Sequence, residues 1–162
     1  MPRLRFAEIL RLLADNEVEF IVVGMTAGVL QGAPLTTVDL DLVHRRTSQN
    51  VEKLLRVLAA LEATYRHDPR GLRPGESHLM GPGHQLLTTV HGDLDCLGAI
   101  DRDRAYEDLL PLTVEMTLAG DRVVRVLSLS ALIDAKEHAG RPKDLAALPV
   151  LRATLDELKR RA

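Results

Sequence analysis

The sequence predicts an α/β (α+β) fold: a mixed central sheet flanked by helices, with a helical C-terminal end. Three observations carry that expectation. Residues 18–23 are apolar on both parities, the mark of a strand covered on both faces. A glycine break, a short helix and an acidic strand follow, giving the order strand, turn, helix, strand. Apolar stripes at helical spacing then recur near the start, in the middle and at the end of the chain. A length of 162 residues is enough to bury a sizeable core, and residues 1–162 are expected to form a single domain.

Taken in order, Phe6, Ile9, Leu10 and Leu13 place a first helix over residues 3–15, with Asn16 as its stop. The strand at 18–23 ends at Gly24, and residues 26–31 form a short helix closed by Gly32 and Pro34. The chain returns as an acidic strand over 36–43. Val51, Leu54, Leu55, Leu58 and Leu61 stripe the next helix, started by Thr47 or Ser48. A strand is expected near 63–66. The following segment, 67–83, reads as a loop rich in proline and glycine with one short strand at 77–80. Strands at 86–90 and 94–100 turn about Gly92, a short helix spans 105–110, and Ala119-Gly120-Asp121 joins strands 114–118 and 123–127 as a hairpin. Ser128 caps a helix that runs to Ala139 and stops at Gly140. Pro142 opens a last one carrying Leu145, Leu148, Leu151, Leu155 and Leu158.

Composition narrows the function. With 21 basic and 23 acidic residues the net charge is −2, and only two Phe, two Tyr and no Trp are present. Neither a broad basic footprint nor a stacking platform can be built from this, so nucleic acid is a disfavoured partner. Cys96 is the one cysteine; it forms no internal disulfide or thiolate zinc cluster, is expected to pack as a small apolar residue, and fits a cytoplasmic setting. The first six residues lead into an amphipathic pattern rather than a signal segment, and no apolar run reaches membrane-spanning length.

The chemistry concentrates in Asp39-Leu40-Asp41-Leu42. Residues two apart in a strand share a face, so Asp39 and Asp41 project together while Leu40 and Leu42 point away. Two adjacent carboxylates repel unless a cation lies between them, and hard oxygen donors suit Mg²⁺. Asp93-Leu94-Asp95-Cys96 repeats the pattern. Were the two strands neighbours, a third carboxylate would complete a site for two divalent ions and for nucleotidyl transfer. A lone Asp-x-Asp more often marks only the polar end of a strand.

Lys136 lies on the stripe of Leu129, Leu132 and Ile133. Two readings stand equal: an anion contact such as a triphosphate, or a side chain that snorkels to water or pairs structurally with Asp134, Glu137 or Asp144. Arg141 and Lys143 flank the last helix's start, where free N–H groups favour anions, against the alternative of solvated charges. Arg66, Arg70 and Arg73 read as solvated loop arginines, with a phosphate clamp the lesser alternative.

Gly24-Met25, a spacer of thirteen residues, Asp39-Leu40-Asp41-Leu42 and Leu94-Asp95-Cys96 together resemble the signature of the nucleotidyltransferase superfamily, whose archetype is polymerase beta. Residues 129–136 and Gly140-Arg141-Pro142-Lys143-Asp144-Leu145 are similar to its small bacterial branch, related to the nucleotidyltransferase toxins of abortive-infection systems (AbiEii and AbiGii type). The resemblance implies a nucleotidyltransferase-like sheet and Mg²⁺-dependent transfer of a nucleoside monophosphate from a triphosphate such as ATP. The acceptor it implies is a hydroxyl or related group on a protein, an RNA end or a small molecule. Asp39 and Asp41 would bridge two Mg²⁺ ions, and Asp95 would bind one and help deprotonate the hydroxyl. Gly24, Met25 and Thr26, with Lys136, Arg141 and Lys143, would hold the nucleotide. The superfamily usually has Gly or Ser where this chain has Met25, with Thr26 the nearest substitute hydroxyl. The alternative is a catalytically silent module that binds a nucleotide or a partner protein, as half of a toxin and antitoxin pair.

Overall fold

The computed structural model describes residues 5–118 and 121–162. Residues 3 and 4 of the expected first helix, and Ala119 and Gly120 of the expected hairpin turn, lie outside them. The chain runs α1 (Phe6–Asp15), β1 (Phe20–Val23), α2 (Gly24–Leu30), β2 (Asp39–His44), α3 (Ser48–Ala60), β3 (Thr64–Tyr65), α4 (Glu76–Met80), β4 (His84–Thr89), β5 (Gly92–Leu97), α5 (Tyr106–Leu109), β6 (Thr113–Leu118), β7 (Arg122–Leu127), α6 (Leu129–Ala139) and α7 (Pro142–Arg161). Two short 3-10 turns flank α5. All seven strands join one mixed sheet in the order β3-β4-β5-β2-β1-β7-β6.

β1 and β2 pair antiparallel, whereas β1 with β7 and β2 with β5 are parallel. The middle strands carry the core: Ile21, Val22, Leu40, Leu42 and Leu94 are fully buried, which explains the apolar character of 18–23 on both parities. The chemical consequence lies in β2, which sits at the centre of the sheet although it carries the acids Asp39 and Asp41. Among the described residues no helix is long and apolar enough to cross a membrane.

The helices start and stop for the reasons expected. The Thr47 hydroxyl accepts from the Asn50 N–H, Ser128 accepts from the Ala131 N–H, and Gly140 takes the left-handed conformation (φ 64°) that ends α6.

The stretch 77–80 corrects an expectation, because it is helical rather than a strand. The Gly75 N–H donates to His78 Nδ1 at 3.0 Å, and Leu79 is the buried anchor that seats this turn beside α3. The buried His44 ring, at the end of β2, donates from Nε2 to the Leu79 carbonyl at 2.7 Å. Burial holds that imidazole below its ordinary pKa, so it is neutral at physiological pH. β5 also begins and ends earlier than expected. Just past its end, at Gly98, the backbone of 81–82 crosses so closely that a Cβ would lie 2.2 Å from the Gly81 oxygen, which requires glycine there.

Candidate active site

The register between β2 and β5 builds the site. Asp39 stands opposite Asp93 and Asp41 opposite Asp95, so the two Asp-x-Asp segments of the sequence meet on one face of neighbouring strands. Oxygens of Asp39, Asp41 and Asp95 lie within 4.8 Å of one another. Asp39 and Asp41 are half-buried, and Asp95 is 7% exposed. Asp93 sits next to this trio but faces an arginine.

Crowding shows in the protonation of Asp41. Burial, then a hydrogen bond with Asp95, then the charges of Asp39 and Asp95 push its carboxyl up to about 8, with the Lys136 ammonium opposing. At neutral pH the metal-free site therefore keeps a proton among its carboxylates. A divalent cation on the same oxygens would do the proton's work with a larger charge, and carboxylate oxygens suit hard cations such as Mg²⁺. The residues present fit that ion.

Gly24 is pressed against the acids. Val23, the last residue of β1, pairs with Asp41, and the chain then turns into α2 with Gly24 at φ +63°. A Cβ on Gly24 would lie 2.3 Å from Asp41 Oδ2, so glycine is required both by conformation and by this close approach. The buried Thr26 donates its hydroxyl to the Asp39 carbonyl at 3.0 Å, and Thr37 donates to the same oxygen at 2.9 Å. The Thr26 hydroxyl thus braces α2 against the acidic strand. Met25 packs its partly buried side chain against the core.

Beyond Gly24 a cleft of about 260 Å³ is lined by Val23, Gly24, Asp41, Lys136, Arg141 and Asp144 among others. Lys136 Nζ donates to Asp144 Oδ1 at 2.9 Å, and Arg141 Nε donates to Asp144 Oδ2 at 2.7 Å. The pairing with Asp144 weighed from sequence is therefore present, and the ammonium also lies close enough to act on Asp41 across the cleft. Lys143 is exposed on the first turn of α7 and does not line the cleft. A larger groove, near 540 Å³, lies between Glu19, Arg45, Tyr106 and Arg125. It contains none of the clustered carboxylates, so size does not mark the chemistry here.

Arg66 is the site residue that the sequence reading set aside. It follows β3, and its N–H donates to the Leu86 carbonyl at 2.9 Å, continuing the ladder to β4. Its guanidinium then spans the sheet face, donating to Asp95 Oδ1 and to the Leu87 carbonyl, each at 2.8 Å, with Asp93 Oδ2 at 3.6 Å. Arg70 instead pairs with Asp68 in solvent, and Arg73 is exposed. Strand alternation could have found Arg66, because it shares the face of Thr64, opposite Thr88 and next to Asp93.

No family profile and no curated protein matches the chain. Solved structures do. A candidate nucleotidyltransferase from Thermotoga maritima aligns over 94% of this chain and 93% of its own at 18% identity, with a TM-score of 0.57. ANT(2")-Ia in complex with adenylyl-2"-tobramycin aligns over 95% and 89% at 18% identity and TM-score 0.59. The lincosamide antibiotic adenylyltransferase LnuA, lincomycin-bound, aligns over 92% and 95% at 17% identity and TM-score 0.62. The fold is the nucleotidyltransferase fold.

Proposed function

We propose that this protein is a Mg²⁺-dependent nucleotidyltransferase that moves a nucleoside monophosphate from a nucleoside triphosphate, ATP being the first to test, onto an acceptor hydroxyl. The observation that carries this is the convergence of Asp39, Asp41 and Asp95 against Gly24, beside a cleft lined by Lys136. Asp39, Asp41 and Asp95 would hold the Mg²⁺, two ions in this reading, which would supply positive charge near the transferring phosphoryl group and the acceptor hydroxyl.

The chain's own groups do the rest. Lys136 and Arg141, with the backbone N–H groups of Gly24, Met25 and Thr26, hold the phosphates and the departing pyrophosphate, whereas Lys143, outside the cleft, takes no part. Asp95 accepts the acceptor's proton as the new oxygen–phosphorus bond forms and the bond to pyrophosphate breaks. Its Oδ1 is engaged by Arg66, which leaves Oδ2 for that role.

A small hydroxylated molecule is the acceptor class we favour. The likeness to ANT(2")-Ia and LnuA supports it, and a net charge of −2 argues against an RNA end. The test is transfer from α-labelled ATP with Mg²⁺ into a fractionated host lysate. Label in the low-molecular-weight fraction supports the reading. Label on a polypeptide or on RNA would assign one of the other two acceptor classes instead. Metal-dependent binding without turnover would leave the silent nucleotide-binding module.

Two substitutions bear on the nucleotide cleft. Lys136→Met keeps the apolar stem and removes the charge, and calorimetry is expected to show ATP binding weakened by about 1 to 3 kcal/mol. Met25→Ser restores the hydroxyl usual in the superfamily; a gain in ATP affinity is expected, and unchanged affinity would mean that backbone N–H groups already suffice.

A further inference from the structure

Asp144 is completely buried, yet it carries a charge and takes no part in the chemistry derived above. Burial pushes its carboxyl up, but hydrogen bonds from Arg141 and Lys136 prevail and hold it below the ordinary range. Only the carboxylate of this ion triad is buried, Arg141 being largely exposed, and pairing of this kind adds little stability over apolar packing. What it fixes is geometry. Lys136 comes from α6, Arg141 from the junction after Gly140 and Asp144 from the first turn of α7, and all three line the cleft that reaches Asp41 and Gly24.

We infer that Asp144 is a positioning residue that holds the Lys136 ammonium and the Arg141 guanidinium in the cleft as a pair ready for the triphosphate. Asp144 takes one N–H of Lys136 and two of Arg141, leaving the remaining donors of each for phosphate oxygens. The inference rests on the nucleotidyltransferase reading and deepens it.

Positioning and simple charge masking predict opposite signs. Were Asp144 only neutralising the two cations, Asp144→Asn would make the cleft more positive and tighten ATP binding. Held cations instead predict a dissociation constant for Mg²⁺·ATP raised about tenfold or more, with KM raised in parallel and kcat changed much less. The double variant Asp144→Asn, Lys136→Met is expected to lose less affinity than the sum of the two single losses, since Asp144 acts partly through Lys136 and partly through Arg141.

Calorimetry on the full chain reads the affinities, and thermal melting checks the fold. Should Asp144→Asn melt below the assay temperature, Asp144→Glu carries the test. It keeps the charge and displaces both cations by one methylene, and a threefold to tenfold weaker affinity is expected, to order of magnitude. Unchanged or tighter ATP binding in a folded variant, or additive losses in the double variant, would overturn the positioning role. A wild type that binds no ATP would sink the transferase reading instead.

Discussion

Asp41→Asn is expected to abolish nucleotidyl transfer while making the metal-free protein more stable at alkaline pH. The carboxyl of Asp41 is pushed up to about 8 by burial, by its hydrogen bond with Asp95 and by the charges of Asp39 and Asp95. Below about pH 4 both folded and unfolded chains carry its proton, and stability is unaffected. Between about pH 4 and 8 the folded chain keeps a proton that the unfolded chain has lost, so stability falls as pH rises, and the loss is complete above pH 8. The asparagine cannot ionise, and its amide can still donate to Asp95. Urea unfolding at pH 8 without divalent ions is expected to show a gain of about 1 to 3 kcal/mol over wild type, vanishing at pH 4. Mg²⁺ should reverse the order, stabilising wild type and leaving the variant unchanged. Loss of transfer of about a thousandfold or more is expected, since one of the three carboxylates proposed to hold Mg²⁺ would be gone. A variant that unfolds at room temperature would make the acidic pair a structural element.

Most of this arrangement was legible because it follows from local periodicity. Alternation in 39–42 and 93–96 fixes which side chains share a face, and the double-sided apolar run before Gly24 marks a central strand. Pairing of the two acidic strands was only an expectation, since register between strands fifty residues apart depends on the whole sheet. Alternation places Arg66 on the face of Thr64, but its partners were hidden for the same reason. Its partners Asp95 and Leu87 become neighbours only once β3, β4 and β5 are side by side. Residues 77–80 failed differently. Five residues carry too little periodicity to separate strand from helix, and the deciding contacts, to His78 Nδ1 and around Leu79, are tertiary or side-chain choices. Lys136 was legible as a charge on an apolar stripe, but its fate was decided by Asp144, eight residues on in the next helix.

Gly24→Ala is the harsher test of how the fold serves the site. The residue sits at φ +63°, where an L side chain costs about 1 to 2 kcal/mol. The added methyl would also lie 2.3 Å from Asp41 Oδ2, a separation that cannot be tolerated without movement. Either the carboxylate rotates away from Asp39 and Asp95, or α2 lifts from β2 and strains the Thr26 bond to the Asp39 carbonyl. Both routes disturb the same oxygens. Gly71 provides the internal control, because its φ of +64° is nearly identical and nothing lies within 4 Å of its hypothetical Cβ. Gly71→Ala should therefore report the conformational cost alone, about 1 to 2 kcal/mol. Gly24→Ala should exceed it by about 1 to 3 kcal/mol from the overlap. It should also lower transfer about a hundredfold or more, since an ångström of misplacement at a reacting centre has that effect. Mn²⁺ affinity, read by electron paramagnetic resonance, separates the two routes: a rotated Asp41 weakens metal binding, whereas a lifted α2 preserves the metal site and weakens ATP binding. Equal stability losses at Gly24 and Gly71, with transfer intact in both variants, would show that the carboxylate has room to yield and that Gly24 answers only to its backbone conformation.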